Sequence, residues 1–276
     1  MATNDMSIYR QVYNAGNDDS ILVYTDEVIC VLTRRGILAA GFNGSGELLA
    51  IHYVGYKNDR PVWDLDFFEP LFDQEPLLMR RDKVTKVFFC TERNLAIPDE
   101  LYDASEAEKW FRKIHFVELT DTIINYRVKE EYLYYTYAIP VNIKQLIAIN
   151  CPNAQLMPLP VYQLSNYSGQ KEQLQCFITP EQASVVWYKN NKLFWHRVFE
   201  YSNAEEIAYN IRLVCEEHNI NAARLDVACN IMSAGEYNVA NNLSQYFNSI
   251  YTGHGKSIQS IWDPVISLVQ QLSACA

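Results

Sequence analysis

Residues 173–230 run strand, strand, strand, helix, strand, and this order restricts the possible folds more than any other feature of the chain. QLQCFIT and ASVVWYK are rich in apolar and β-branched residues, as buried strands require. Asn190 and Asn191 separate the second of them from LFWHRVF, and asparagine tolerates the left-handed backbone of a two-residue hairpin. The helix over NAEEIAYNIRLVCEEHNI starts at Asn203 as N-cap, with Glu206 three residues on, a capping box in which Asn replaces the usual Ser or Thr. Its stripe of Ile207, Ile211, Val214 and Cys215 is one buried face, and ARLDVACN follows as a strand.

The same order occurs once before. SILVYT, EVICVLTR, ILAAGF and LLAIHYVGY predict an antiparallel meander over residues 20–56, with the Gly-rich connector 43–47 supplying a hairpin turn. A helix over 64–78, carrying Leu65, Phe68, Leu71 and Phe72 but broken by Pro70 and Pro76, leads to the strand KVTKVFFC. The repeat is one of elements, not of residues. No fixed period of roughly 20 to 50 residues is present, which excludes solenoids and propellers.

Between the two copies the pattern gives a loop over RNLAIPDELYD, a helix over 105–114, strands within INYRVKEEYLYYTYAIP, a helix over VNIKQLIAIN and an extended piece over AQLMPLPVYQLS. The polar linker 166–172 is the best boundary. The expected division is a loosely held lead-in over 1–19, a first half over 20–165 and a second half over 173–276. The second half closes with a helix over 236–248, a strand-like piece, and a last helix starting near Pro264, where proline suits the first turn.

A duplicated meander, helix and strand is the plan of the actin-like fold, an α/β fold with mixed sheets related to RNase H. The runs LFWHRVFEYSNAEEIAYNIRLVCEEHNI, RLDVACNI, FFCTERNLAIPDELYD and YLYYTYAIP resemble the bacterial family known as domain of unknown function 3822, over most of residues 20–250. The resemblance implies a duplicated actin-like (RNase H-like) ATPase fold, similar to pilus-assembly proteins of the PilM kind. It does not carry an activity with it, because one fold hosts many functions.

Actin-like ATPases hold phosphates in the turn between the first two strands of each half, where Gly, Ser and Thr offer free N–H groups and close backbone approach. The expected counterparts are Tyr24, Thr25, Asp26 and Glu27 in the first half and Thr179, Pro180, Glu181 and Gln182 in the second. Neither contains glycine, Pro180 removes an N–H, and Glu27 and Glu181 set negative charge toward a triphosphate. Asp26 is a candidate holder of a magnesium-bound water. The other phosphate-like run is Gly253, His254, Gly255, Lys256 and Ser257, whose end is like that of a P-loop, although Ile250 stands where that motif needs glycine.

Other chemistries find less support. The five histidines form no H-x-x-x-H or H-E-x-x-H pattern, so no metal is expected. Gly44, Ser45 and Gly46 lack the spacing of a nucleophile elbow. Asp64 and Asp66 suit a helix start, and only Asp26 lies near where an RNase H-like nuclease would need converging carboxylates. A net charge of −10 disfavours nucleic acid and anionic membranes. The seven cysteines, scattered through apolar runs, fit reduced buried thiols. No basic-then-apolar leader and no run of roughly 18 apolar residues occurs, so a cytoplasmic protein without membrane insertion is expected.

The resulting expectation is a non-catalytic actin-like protein with no cofactor, working as an interaction or scaffold module with a protein partner. ATP with magnesium in an atypical cleft is the alternative. Tyr132, Tyr134, Tyr135 and Tyr137 alternate along one strand, and some of them are expected to form an exposed face or edge for that partner.

Overall fold

EVICVLT and GILAAGF lack polar alternation, and strands of that kind need cover on both faces. They form the centre of the first sheet, where Val28, Ile29, Val31, Leu32, Leu38 and Ala40 are fully buried. The structure, a computed structural model, describes residues 8–16, 19–56, 61–129, 131–165, 172–190, 192–253 and 255–275. The chain divides into two compact units, Met1–Leu159 and Pro160–Ala276.

The first unit holds, in order, β1 (Ile8–Asn14), β2 (Glu27–Thr33), β3 (Gly36–Phe42), β4 (Leu48–Tyr56), α1 (Leu65–Gln74), β5 (Val84–Phe89), β6 (Asn94–Pro98), α2 (Ala104–Ile114), β7 (Asp121–Val128), β8 (Leu133–Pro140), α3 (Val141–Asn150) and β9 (Gln155–Pro158). Its main sheet has the order β1-β4-β3-β2-β5-β9. The meander β2, β3 and β4 is antiparallel, while β5 joins β2 and β9 joins β5 in parallel. Strands β6, β8 and β7 form a separate three-stranded sheet with β8 in the middle. Asp64 caps α1 by accepting from the Asp66 N–H. The helix then buries Phe67, Phe68, Leu71 and Phe72, and Phe67 meets Tyr56 edge-on at 4.6 Å between ring centroids.

The second unit holds α4 (Pro160–Ser165), β10 (Glu172–Ile178), β11 (Gln182–Lys189), β12 (Lys192–Glu200), α5 (Ala204–Glu217), β13 (Asp226–Ile231), α6 (Tyr237–Asn242), β14 (Ser249–Tyr251) and α7 (Asp263–Ser273). Its sheet order, β12-β11-β10-β13-β14, repeats the β4-β3-β2-β5-β9 order of the first unit with the same sense in every pair. The N-cap of α5 is Asn203, whose side chain accepts from the Glu206 N–H at 2.9 Å, and the Glu206 carboxylate accepts from the Ser202 N–H at 2.7 Å. Asn190, in the β11–β12 turn, has φ of 52°, the left-handed value its side chain permits.

Several local expectations change. SILVYT is no strand: residues 19–22 form a single 3₁₀ turn, and the Thr25 hydroxyl donates back to Ile21 O at 2.9 Å, a local bond that competes with a ladder. The meander therefore begins at Glu27, one strand later than expected. Within the expected lead-in, β1 pairs with β4 over its full length. RNLAIP, expected as loop, is β6, because its backbone groups pair with β8. PVYQLS is helical, and α4 belongs with the second unit because Gln163 exchanges hydrogen bonds with Ser184 and the Tyr188 hydroxyl donates to Leu164 O at 2.8 Å. The strand-like piece expected before the last helix is β14, Ser249–Tyr251. The linker 166–172 lies outside the described residues apart from Glu172.

Candidate functional site

The β2–β3 and β10–β11 hairpins occupy the same place in the two sheets, and both begin with a buried threonine. The Thr33 hydroxyl donates to Gly36 O and accepts from the Arg35 N–H, both at 3.4 Å. The Thr179 hydroxyl donates to Gln182 O at 3.1 Å and accepts from the N–H groups of Glu181 at 3.3 Å and Gln182 at 3.0 Å. The counterpart of turn 179–182 is thus turn 33–36. Asp26, expected at such a turn, sits at the opposite end of β2, where its N–H pairs with Phe42 O and its exposed carboxylate lies 3.9 Å from Lys83 Nζ. That correction follows from SILVYT not being a strand, since the true first hairpin carries Arg34, Arg35 and Gly36.

Turn 33–36 is tightly held. A Cβ on Gly36 would lie 2.7 Å from the Tyr53 hydroxyl and 3.0 Å from Val54 O. Trp63 donates its N–H to Arg34 O at 2.8 Å and takes φ of 55°, an uncommon left-handed value for a bulky residue. Strain of this kind persists only where the surroundings over-determine it, and here Trp63 is clamped between Phe68 and Phe89 at 6.0 and 6.5 Å.

Beside this turn the first unit opens a groove of about 850 Å³. Its floor includes Arg34, Trp63, Glu92 and Arg93, and its far wall is the α2–β7 loop and the start of α3. The Arg93 guanidinium donates to the Asp121 carboxylate, whose side chain is nearly inaccessible, and to Phe116 O at 3.3 Å. Asp121 also accepts from the Glu118 N–H at 3.0 Å. The loop is therefore pinned from below while its apolar side chains stay outside: Phe116 is 82% exposed and Leu119 fully exposed. Of the remaining charges, Arg34 lies 3.8 Å from Glu92, and Glu118 is exposed.

In the second unit the carboxyl ends of β10 and β13 gather acids. Glu236 is buried, accepts from the Ser233 N–H and hydroxyl at 3.0 and 2.7 Å, and has its carboxyl pushed up to about 7 by burial, with the Glu181 charge adding to the shift. The Tyr201 hydroxyl, which donates to Thr179 O at 2.6 Å, is raised by burial and by the neighbouring Glu236. Turn 179–182 is consequently acidic where its counterpart is basic.

The glycine run follows β14. Gly253 donates to Asn230 Oδ1 at 3.2 Å, and Gly255 (φ of 74°) donates to Thr252 O at 2.8 Å. Lys256 and Ser257 line a second pocket of about 470 Å³ with Thr252, Asp263 and Ser267. Ser267 is 3% exposed, and its hydroxyl has no hydrogen-bond partner among the described residues. His254 lies outside the described residues.

The tyrosines do not make a common surface. β8 is the central strand of its sheet, so it offers no edge, and Tyr135 and Tyr137 are both fully buried, with their hydroxyls raised by burial. Tyr134 is half-buried, stacked on Tyr102 at 3.5 Å, and Tyr132 is exposed in the turn before the strand. Both faces of β8 are covered over most of its length, since Thr136 and Ala138, which alternate with Tyr135 and Tyr137, are also fully buried. Among the described residues no group of three or more His, Cys, Asp or Glu side chains is placed to hold a metal ion, and no helix is long and apolar enough to cross a membrane.

A family model described as protein of unknown function (DUF3822) matches residues 34–250. The chain belongs to the DUF3822 family. Among curated proteins none matches this DUF3822 sequence. A crystal structure from Bacteroides thetaiotaomicron, of a protein with actin-like ATPase fold and unknown function, superposes with a TM-score of 0.71 at 13% identity, over 95% of this chain and all of that one. The PilM-PilN type IV pilus biogenesis complex supplies a second match, with a TM-score of 0.58 at 11% identity, over 91% of this chain and 98% of that one. The DUF3822 chain has the actin-like ATPase fold, as its duplicated sheet order requires.

Proposed function

We propose that this protein is a binding module without catalytic turnover, which holds a segment of a partner protein in the groove of the first unit. The observation that carries the reading is the pairing of a groove of about 850 Å³ with the exposed Phe116 and Leu119 on its rim. Apolar side chains held in water by a pinned loop are what a docking surface offers. The groove's charges favour a particular segment. Arg93 is spent on Asp121, and Glu92 and Glu118 outnumber Arg34. The segment is therefore apolar with a lysine or arginine beside it. The acidic turn 179–182 supports the absence of turnover, since Glu181 repels a triphosphate and Pro180 has no N–H to offer it. PilM, which shares the fold, is known in a complex with another protein, PilN.

Selection from a displayed library of random peptides tests this. Recovered sequences should combine neighbouring apolar residues with a basic one, and Phe116→Ser with Leu119→Ser should abolish their binding without changing the melting temperature. No enrichment, or enrichment indifferent to those variants, sinks the reading.

One observation favours a second reading, nucleotide binding by a working ATPase: the unpartnered Ser267 hydroxyl facing the same pocket as Lys256 and Ser257. Thermal unfolding with Mg-ATP separates the two. Ligand at a hundredfold excess over Kd adds about 2.7 kcal/mol, or roughly 5 to 10 °C for a chain of this size. A shift lost in Lys256→Ala would favour the nucleotide; no shift at millimolar ATP would remove it.

A further inference from the structure

Asp263, Ile266, Ser267 and Gln270 recur at helical spacing along one face of α7, and together with Lys256 and Ser257 of the loop after β14 they line the pocket of about 470 Å³. The loop side of this pocket is held firmly. The Thr252 N–H donates to Lys256 O at 2.8 Å, and Tyr251 bridges to Ser257. Asn230 accepts from the Gly253 N–H at 3.2 Å and donates to Gln271 Oε1 at 2.9 Å, which ties the loop to the helix. No side chain fits at Gly253, where a Cβ would lie 2.1 Å from the Gln271 amide nitrogen. A pocket walled in this way loses little freedom when a ligand enters.

Ser267 is the anomaly of the lining. It is 3% exposed, and its hydroxyl has no hydrogen-bond partner among the described residues. A buried hydroxyl left without its bond costs stability that alanine at the same position would not. A ligand that supplies the missing bond removes that cost.

The charges around it indicate the ligand's chemistry. Lys256 is exposed and makes no ion pair among the described residues. Asp263 Oδ2 accepts from the N–H groups of Gln259 and Ser260, both at 2.7 Å, and Oδ1 has no partner among the described residues. One cation and one anion in a single lining disfavour a triphosphate and complement a molecule that carries both signs. Ile266, between Asp263 and Gln270 on the same face, offers an apolar contact beside them. The volume falls at the low end of the roughly 300–1,000 Å³ of small-molecule pockets.

We propose that this pocket binds a free α-amino acid, its carboxylate held by Lys256 and the Ser267 hydroxyl and its ammonium by Asp263. The site is independent of the groove in the first unit, so either proposal can fail alone, and it is the alternative to a nucleotide in the same pocket.

Isothermal titration of the full chain with the common L-amino acids, one at a time, tests it. At least one should bind. The amine lacking its carboxylate and the acid lacking its ammonium should each bind at least about tenfold more weakly, since either leaves a charged partner unmatched. Lys256→Met and Asp263→Asn should each weaken binding by about the same factor, the asparagine keeping an oxygen for the two loop N–H groups. Ser267→Ala should weaken binding and also raise the melting temperature of the unliganded chain, a combination that a serine with a purely structural role would not give. Five results would each overturn the proposal: no binding by any amino acid, equal binding of either truncated analogue, indifference to both charge variants, a Ser267→Ala chain that melts lower, or binding of Mg-ATP in place of an amino acid.

Discussion

Thr33 and Thr179 hold the same place in two equivalent hairpins, yet the residues after them are Arg34 and Arg35 in one unit and Pro180 and Glu181 in the other. The hydrogen-bond plan is shared down to which hydroxyl meets which carbonyl. The difference between the units teaches that the threonine and the sheet behind it define the turn, while the tip carries whatever charge the unit's own use requires. In the first unit the tip borders an open groove with a basic residue; in the second it meets a buried acid, Glu236. Local geometry is duplicated and chemistry is not.

The comparison can be broken most severely at the fourth position. Gly36→Ala forces a Cβ against the Tyr53 hydroxyl and the Val54 carbonyl, and overpacking of that kind costs about 3 kcal/mol. Gln182→Ala, the matching change in the second unit, adds no atom and should cost much less. Urea unfolding of the two variants would show it, and equal losses would mean that crowding at the fourth position does not distinguish the turns.

The charge difference is next. Glu236 has a folded pKa of about 7 against an ordinary 4.5. The folded state therefore binds the extra proton between those values, and stability falls as pH rises through that window. Below about pH 4.5 the carboxyl is protonated in both states and has no effect. Above about 7 its destabilisation is complete, worth about 3 kcal/mol. Glu236→Gln should flatten that part of the pH–stability curve, and an unchanged slope would assign the effect elsewhere.

The two threonines sharpen the comparison. Thr179→Val should cost about 2 kcal/mol, since it leaves two turn N–H groups without their acceptor. Thr33→Val, whose bonds are both at 3.4 Å, should cost under about 1 kcal/mol. The smallest effect is expected at the groove rim, where Phe116→Ser should move stability by less than about 0.5 kcal/mol while removing peptide binding.

Most of the architecture was legible in the sequence. Residues 173–230 read correctly strand by strand, because β11 is buried from Gln182 to Tyr188 and α5 is capped by Asn203 and Glu206. The first unit misled at SILVYT, where an apolar run without alternation looks the same whether it forms a strand or a turn packed by its own hydroxyl. That one shift moved the expected phosphate turn from 33–36 to Asp26. No sequence signal pointed to the groove. Phe116 and Leu119 lie in the short loop 115–120, and their exposure depends on Arg93 reaching Asp121 across 28 positions of chain.

The sequence by itself determined the duplicated order of elements, because periodicity, capping and turn residues are local and act within a few positions of one another. Only the tertiary structure decided which turn is the counterpart of which, which tyrosines are covered and where a groove opens. Those outcomes rest on pairing between distant strands. The sequence holds Thr33 and Thr179 in plain sight, but only the two sheets show them to be the same residue used twice.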